Sequence, residues 1–309
     1  MSAIRVYLVA LSNPISDRTK YERLIAIFAQ EGIELELSRY LEQDLPPITK
    51  AADFNKAVRS GRYTWIADVS GGDLANLVLP YLDYEAYAHS HTIYCAFSDG
   101  TCIVNALAVK AKRRALLFPL WNQVSMQQAI RIFQGQPLDM PVQSLKGQVP
   151  WPKHARLAGG NIRCFLKLAG TQYMPNCKGG YLVLESMSAN WNAFRSMSAH
   201  LSQVGAFQEL QGIVLGRFNV LETQFGSRQA TLEAIVSFLE PLCETYTDWF
   251  SLDTFGHIPN STALWVSPHS MMEVKSLENS EKMTSTSKPE DGPANWVNLK
   301  NKSNHQKKH

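Results

Sequence analysis

Strands and helices that alternate along the first half of the sequence predict an α/β fold built on a parallel sheet. Short apolar runs rich in β-branched residues, each bounded by turn residues, are typical of strands buried on both faces. Segments with helical apolar spacing separate them, so helices should cover both faces of the sheet, and ligands should bind at the carboxyl ends of its strands. The predicted strands are 6–10, 33–37, 65–69, 92–97 and 115–118, and the predicted helices are 20–30, 51–58, 74–82, a segment from 101 onward and 125–133.

The second half continues the alternation after a proline-rich loop. Four prolines between residues 135 and 153 mark a domain boundary, so we predict a first domain at 1–135, a linker at 136–153 and a second domain at 154–275. Residues 276–309 are polar with few large apolar side chains, which predicts a disordered tail. In the second domain the predicted helices are 162–168, 191–204 and 231–239, and the predicted strands are 181–185, 213–215 and 262–266.

Composition excludes several classes of function. The 309 residues are 45% hydrophobic and 18% charged, with a formal net charge of +3, which is too small for a nucleic-acid-binding surface. Five scattered cysteines without a C-x-x-C motif are typical of reduced thiols. No apolar run approaches the ~20 residues of a membrane span, and the first residues lack a signal-peptide pattern. We therefore expect a cytoplasmic protein that binds neither nucleic acid nor membrane. Gly71-Gly72 lacks the G-x-G-x-x-G spacing and the Walker lysine, and His89-Ser90-His91 has no acidic or Cys partner at metal-ligand spacing, so we expect no cofactor and no metal.

Ser98 occupies the point where a predicted buried strand turns directly into a helix. Such a turn presents its residue at the carboxyl edge of the sheet, and the free N–H groups of the new helix point at whatever binds there. The position resembles the nucleophile of α/β-type hydrolases, although the G-x-S-x-G motif is absent. The alternative is that Ser98 only caps the helix, because Ser and Asp are favoured N-caps.

Two further residues could complete a hydrolytic triad with Ser98. Glu185 ends a hydrophobic strand, and His257 lies in a tight loop after Gly256. A serine nucleophile needs a base to accept its proton, and the base needs an acid to hold its tautomer. Each signal has an ordinary explanation, since a strand-end Glu often caps or pairs and a loop His is often solvated.

Collinear blocks in both halves resemble the LD-carboxypeptidase family of serine peptidases, which includes the microcin C immunity peptidases. The similarity covers roughly residues 5–275. The blocks are Gly71-Gly72, Leu79-Pro80-Tyr81-Leu82-Asp83-Tyr84, Phe97-Ser98-Asp99-x-Thr101, Gly159-Gly160-Asn161, Leu168-Ala169-Gly170-Thr171-x-Tyr173-x-Pro175, Leu182-Val183-Leu184-Glu185, Gly212-Ile213-Val214-Leu215-Gly216-Arg217-Phe218 and Phe255-Gly256-His257.

The resemblance implies a role for each site residue. Ser98 would be the nucleophile, His257 the general base and Glu185 its orienting acid. The backbone N–H of Asp99 and one from Gly71-Gly72 would form the oxyanion hole. The implied fold is a doubly wound N-terminal domain and a smaller, β-rich C-terminal α/β domain, with the active site between them and two chains in a homodimer.

The implied reaction is hydrolysis of an amide bond next to a free carboxylate, with the terminal D-amino acid of a murein tetrapeptide as leaving group. An alternative is cleavage of a peptidyl or aminoacyl nucleotide, as in the immunity branch. That branch tends to carry an added substrate loop, so the interval of 87 residues between Ser98 and Glu185 favours the carboxypeptidase. A third alternative is an inactive homologue that only binds its ligand.

Four departures from the family pattern indicate altered specificity. One is Trp265-Val266-Ser267-Pro268, which replaces the Pro-x-Gly often found after the catalytic His loop. Ala96 replaces a glycine before the aromatic-Ser-Asp unit, and Ser70 stands where murein-recycling members carry Arg. Ser186 replaces the acidic residue that often follows the catalytic Glu. None of them removes a triad member.

Overall fold

The chain folds around a six-stranded sheet in which five neighbouring strands are parallel. The computed structural model describes residues 4–136 and 140–267, and these residues belong to one compact unit. The strand order is β11-β5-β4-β3-β1-β2, with only β11 antiparallel. The strands are β1 (Arg5–Val9), β2 (Glu34–Leu37), β3 (Trp65–Asp68), β4 (Ile93–Ala96), β5 (Ala115–Leu117) and β11 (Leu264–Val266).

Helices cover both faces of this sheet because side chains alternate along each strand. In β1, Val6 and Leu8 belong to one apolar cluster with helices α1 and α5, whereas Tyr7 and Val9 belong to the other with α2 and α4. The predicted doubly wound arrangement is therefore confirmed. The helices of this half are α1 (Thr19–Gln30), α2 (Pro47–Arg59), α3 (Tyr84–His89), α4 (Thr101–Lys110) and α5 (Gln123–Phe133), with 3₁₀ helices at Ala75–Tyr81 and Ser98–Gly100.

The strand order reverses between β1 and β3, since the chain goes outward from β1 to β2 and then returns to the other side of β1. Loops that leave the carboxyl ends of strands at such a point diverge and open a crevice. The loops after β1 and β3 carry Ser12, Asn13 and residues 70–73, so these groups lie at the edge where a ligand site is expected.

A second, smaller sheet has the order β6-β10-β9-β8-β7, with β6 alone antiparallel. Helix α4 joins the two sheets, because the side-chain amide of Asn105 both donates to and accepts from the backbone of Gly159 in β7. The strands are β6 (Gln143–Ser144), β7 (Leu157–Asn161), β8 (Tyr181–Ser186), β9 (Gly212–Phe218) and β10 (Asp248–Ser251), and the helices are α6 (Ile162–Leu166), α7 (Trp191–Gln203), α8 (Asn219–Phe225) and α9 (Arg228–Leu239).

Two strands near the predicted domain limits each join one of the two sheets. Strand β6 lies in the segment predicted as a linker and pairs with β10, and β11 of the C-terminal half returns to pair with β5 of the first sheet. The domain limits at 135, 153 and 275 stay predictions, and the predicted tail 276–309 lies outside the described residues. Within the described ranges no helix is long and apolar enough to cross a membrane.

Strands β7 and β10 were not expected from the sequence. In β7, Gly159 and Gly160 have φ of +104° and +126°, and a Cβ on Gly159 would lie 2.2 Å from the carbonyl oxygen of Val183. Close approach to β8 therefore excludes the side chains that mark a strand in the sequence. Strand β10 is only four residues long, with polar residues at both ends.

Candidate active site

Ser98 sits on a strained turn between β4 and α4. Phe97 is extended, Ser98 has a φ of +53°, and the chain enters α4 through the 3₁₀ turn at Ser98–Gly100. A positive φ is uncommon for a residue with a side chain and costs conformational energy, so its presence at a sheet edge is a sign of function. The same geometry exposes the serine hydroxyl in the nucleophile elbows of α/β hydrolases.

Ala96 and Gly100 stand two residues before and two residues after Ser98, where the G-x-S-x-G motif carries its two glycines. A Cβ built on Gly100 would lie 2.5 Å from the Cβ of Ala96, which is closer than two carbon atoms approach. The φ of Gly100 is −62°, so the constraint is steric. The turn therefore has room for a Cβ methyl group at only one of these two positions, and in this sequence Ala96 carries it.

The structure brings Ser98, His257 and Glu185 into one hydrogen-bonded array. His257 Nε2 lies 3.1 Å from Ser98 Oγ, and His257 Nδ1 lies 2.8 Å from Glu185 Oε2. Glu185 lies on β8 and is fully buried, whereas Ser98 and His257 are half-buried. The arrangement has the geometry of a Ser-His-acid triad, in which the carboxylate orients the imidazole and supports its cation.

The loop after β10 holds His257 in place from the backbone. Asn219 donates its side-chain N–H to the carbonyl of His257 at 3.2 Å, and the N–H of Arg217 donates to the carbonyl of Phe255 at 2.7 Å. Gly256 has a φ of +143°, and a Cβ there would lie 2.7 Å from that of Arg217. The glycine before His257 is therefore required by the close approach of this loop to β9.

Asn161 is a site residue that the sequence marked only as part of a motif. Its side-chain N–H donates to Glu185 Oε1 at 2.9 Å, and its Oδ1 accepts from the N–H of Cys164 at 3.3 Å as the cap of α6. The two bonds fix the orientation of the amide. Both carboxylate oxygens of Glu185 thus have a donor, which suits a buried charge.

Trp121 is a second residue that sequence reasoning missed. Its ring stacks on His257 with centroids 5.3 Å apart and an interplanar angle of 22°, while Phe97 approaches the same imidazole at 5.1 Å. The aromatic faces restrict the orientation of the imidazole and favour its cation. No motif marked Trp121, because its contact with His257 depends on the tertiary fold.

The backbone groups expected to form an oxyanion hole lie after β3 and β4. Asp99 is the second residue of the 3₁₀ turn, where the first N–H groups lack an intrahelical acceptor. Neither Gly71 nor Gly72 uses its N–H in a hydrogen bond within residues 4–136 and 140–267. Gly72 has a φ of +123°, and a Cβ there would lie 2.3 Å from the side chain of Asn13, so the loop needs glycine at this position.

Buried polar groups fix the strand ends beside this loop. Asp68, at the end of β3, accepts from the N–H and hydroxyl of Ser70 at 2.8 and 2.6 Å and from the hydroxyl of Tyr94 at 2.8 Å. Burial raises the pKa of Asp68 above its ordinary value, against the lowering effect of these bonds. Ser70 also accepts from the N–H of Ser12 at 2.9 Å. Ser70 thus holds two strand ends together in this chain.

Two sequence profiles of one family match most of the chain. The LD-carboxypeptidase N-terminal domain matches residues 6–116, and the LD-carboxypeptidase C-terminal domain matches residues 154–268. A Vibrio cholerae protein whose name includes the word carboxypeptidase is 24% identical over 232 residues, or 62% of this chain and 67% of that protein. The microcin C7 self-immunity protein MccF of Escherichia coli is 21% identical over 229 residues, 62% of this chain and 66% of MccF.

Solved structures share the fold over most of the chain. MccF in complex with glutamyl sulfamoyl guanosine superposes with a TM-score of 0.72 at 16% identity, covering 86% of this chain and 92% of MccF. The muramoyltetrapeptide carboxypeptidase from Oxalobacter formigenes gives 0.70 at 18% identity, covering 85% and 92%. At these identities the likeness concerns the fold.

Proposed function

Since this chain belongs to the LD-carboxypeptidase family, we propose that it is a serine peptidase that hydrolyses an amide bond next to a free carboxylate. The observation that carries the proposal is the hydrogen-bonded array of Glu185, His257 and Ser98, placed at a strained elbow on the carboxyl edge of the first sheet. A residue that only capped α4 would need neither the positive φ nor the imidazole contact.

In the proposed mechanism Ser98 Oγ attacks the scissile carbonyl while His257 Nε2 accepts its proton. Glu185 accepts the Nδ1–H of His257 at 2.8 Å and stabilises the imidazolium. The oxyanion of the tetrahedral intermediate receives hydrogen bonds from the N–H of Asp99 and from that of Gly71 or Gly72. His257 then protonates the leaving amine, and water hydrolyses the acyl-enzyme by the same groups in the reverse roles.

The substrate that we propose is a murein tetrapeptide, from which the enzyme releases the terminal D-amino acid in cytoplasmic peptidoglycan recycling. Its support is the family, the solved muramoyltetrapeptide carboxypeptidase with the same fold, and the short interval between Ser98 and Glu185. We also propose that the enzyme acts as a homodimer, which light scattering would test. MccF, solved in complex with glutamyl sulfamoyl guanosine and with aspartyl sulfamoyl adenosine, supports a peptidyl or aminoacyl nucleotide as the alternative substrate.

The test is parallel incubation of the enzyme with a muramoyl tetrapeptide and with an aminoacyl-sulfamoyl adenosine, with products identified by mass. We expect release of the D-amino acid from the tetrapeptide by the wild type and by Ser196→Ala, which changes an exposed serine on α7, but not by Ser98→Ala. Cleavage of the nucleotide alone would establish the alternative substrate. A folded protein that cleaves neither compound would contradict the proposed activity.

A further inference from the structure

Lys167 lies at the C-terminal end of α6 and reaches from the second half of the chain to the loop after β3. Its ammonium donates to a carboxylate oxygen of Asp99 and, at 2.9 Å, to the carbonyl of Asp73. The side chain of Lys167 is 16% exposed and that of Asp99 is 0% exposed. Lys167 therefore links the residue that follows Ser98 with the segment that follows Gly71-Gly72.

The buried carboxylate of Asp99 accepts two further hydrogen bonds. The hydroxyl of Ser12 donates to it at 2.6 Å, and the N–H of Ala75 donates at 2.8 Å. The carboxylate thus anchors the loop after β1 and the far end of the loop after β3, while the backbone N–H of the same residue is a proposed oxyanion donor. Lys167 adds the contact that holds the middle of the glycine loop, at Asp73.

Helix α6 connects these contacts to the triad. Asn161 caps its N-terminus and donates to Glu185, and Lys167 follows its last residue. One short helix thus holds the acid of the triad at one end and both sides of the oxyanion hole at the other. Arg163 also reaches the loop through Asp73 and the carbonyl of Gly72, but its side chain is 46% exposed, so its contribution should be smaller.

We propose that Lys167 is a positioning residue that sets the distance between the two backbone donors of the oxyanion hole. The proposal rests on the proposed serine-hydrolase function. Oxyanion-hole donors act only when they are held at hydrogen-bond distance from the developing charge, and a displacement of a fraction of an ångström weakens them. A point charge with three donors can serve the carboxylate of Asp99 and the carbonyl of Asp73 together.

The test is the rate at which a fluorophosphonate labels Ser98, because phosphonylation needs the oxyanion hole but no peptide-binding subsite. Lys167→Met keeps the apolar stem and removes the ammonium. We expect it to label roughly 10- to 100-fold more slowly than wild type, with a matching fall in kcat and little change in KM on the cleaved substrate. The matched control is Lys146→Met, which removes one partner of an exposed ion pair with Glu240 and should label at the wild-type rate.

Two further variants separate positioning from stability. Lys167→Arg keeps the charge that the buried Asp99 needs but changes the donor geometry, so it should fold and label about threefold to tenfold more slowly. Asp99→Asn/Lys167→Met removes both charges and should recover thermal stability without recovering the labelling rate.

Folded Lys167→Met that labels as fast as wild type would overturn this role while leaving the proposed function intact. Labelling that recovers fully in the double variant would do the same, because it would show that only the unpaired charge mattered. Wild-type protein that does not label at all would overturn the proposed function and this role with it.

Discussion

In the proposed mechanism Glu185 is the acid that orients His257. It is buried, and its two oxygens are shared between the imidazole of His257 and the amide of Asn161. Each oxygen of the carboxylate is therefore held by one hydrogen bond, and the orientation of the carboxylate is fixed. A charge held in this way is the main source of support for an imidazolium formed next to it.

Glu185→Gln tests that role, because it keeps the size of the side chain but removes its charge. We expect kcat to fall by about 10²- to 10⁴-fold with a smaller change in KM, since the lost interaction forms fully only in the transition state. Steady-state kinetics with circular dichroism as a folding check give the answer. A folded variant with wild-type kcat would show that Glu185 is structural.

Gly100→Ala tests the steric account of the elbow. The new methyl group would meet the Cβ of Ala96 at 2.5 Å, so we expect a loss of roughly 1–3 kcal/mol in the free energy of unfolding. Ala96→Gly/Gly100→Ala moves the one permitted methyl group to the other side and should recover most of that loss, apart from about 0.5–1 kcal/mol for glycine in β4. Urea unfolding measures both, and equal losses in the two variants would contradict the steric explanation.

For individual residues, the sequence indicated which side chains belong to the candidate site but not which side chains they contact. Ser98, Glu185 and His257 lie in recognisable blocks, and the resemblance supplied their expected roles. Asn161, Trp121 and Lys167 contact residues that are distant in the sequence, and these contacts form only in the folded chain. No local pattern encodes such a contact.

Helix α5 begins earlier than its sequence predicts. The sequence predicts a helix that begins at residue 125, but the observed cap is Asn122. Its side chain accepts from the N–H of Ser125 at 3.0 Å, and the hydroxyl oxygen of Ser125 accepts from the N–H of Asn122 at 3.2 Å, so the two residues form a capping box. The predicted start of the helix was wrong because a serine can take either of two places in a capping box, that of the cap or that of the third helical residue.

Asn122→Ala should therefore destabilise the protein by about 1 kcal/mol. The matched control is Gln127→Ala, an exposed position on the same helix, which should stay within ~0.5 kcal/mol of wild type. Chemical unfolding of the two variants side by side measures the difference. Equal stabilities would show that the observed cap contributes nothing.

Elements with strong local patterns were predicted well, and those that depend on partners were not. Strands β1, β3, β4 and β8 are apolar runs, and their predicted limits lie within about two residues of the observed ones. Strand β7 consists of Leu-Ala-Gly-Gly-Asn. The backbone of β8 leaves no room for a side chain at Gly159, and the side chains of Leu117 and Thr101 leave none at Gly160. The strand conformation of β7 follows from pairing, and pairing is a tertiary property.

Over the whole molecule, buried tyrosines should make the fold sensitive to alkali. Burial is the main factor that raises the pKa of Tyr87 to about 12, against roughly 10 for an exposed tyrosine. Because the folded state holds this proton more tightly, its contribution to stability is complete below about pH 10 and is lost as pH rises towards 12.

Tyr87→Phe removes the titrating hydroxyl and so isolates this effect. The difference in the free energy of unfolding between wild type and variant should shrink by about 1.4 kcal/mol per pH unit in that interval. Tyr246→Phe, at an exposed ring, is the control and should follow the wild type. Urea unfolding at several pH values provides the data, and parallel profiles for wild type and Tyr87→Phe would contradict the expectation.

The architecture of the first half follows from alternation and apolar patterning, and the sequence predicted it. The way in which the second half meets it could not be predicted, because the contacts involve residues that are far apart in the sequence. Asn105 of α4 bonds to Gly159 of β7, and Lys167 bonds to Asp99. These contacts place Ser98 against His257 and Glu185, so the candidate site is a property of the assembled molecule.

We propose that Ser98 is a nucleophile activated by His257. The most direct measurement is reaction of the full chain with a fluorophosphonate, followed by intact mass and peptide mapping. We predict one adduct per chain on Ser98, none in Ser98→Ala and strongly slowed formation in His257→Gln. An adduct on another residue, or equal labelling of wild type and Ser98→Ala, would contradict it.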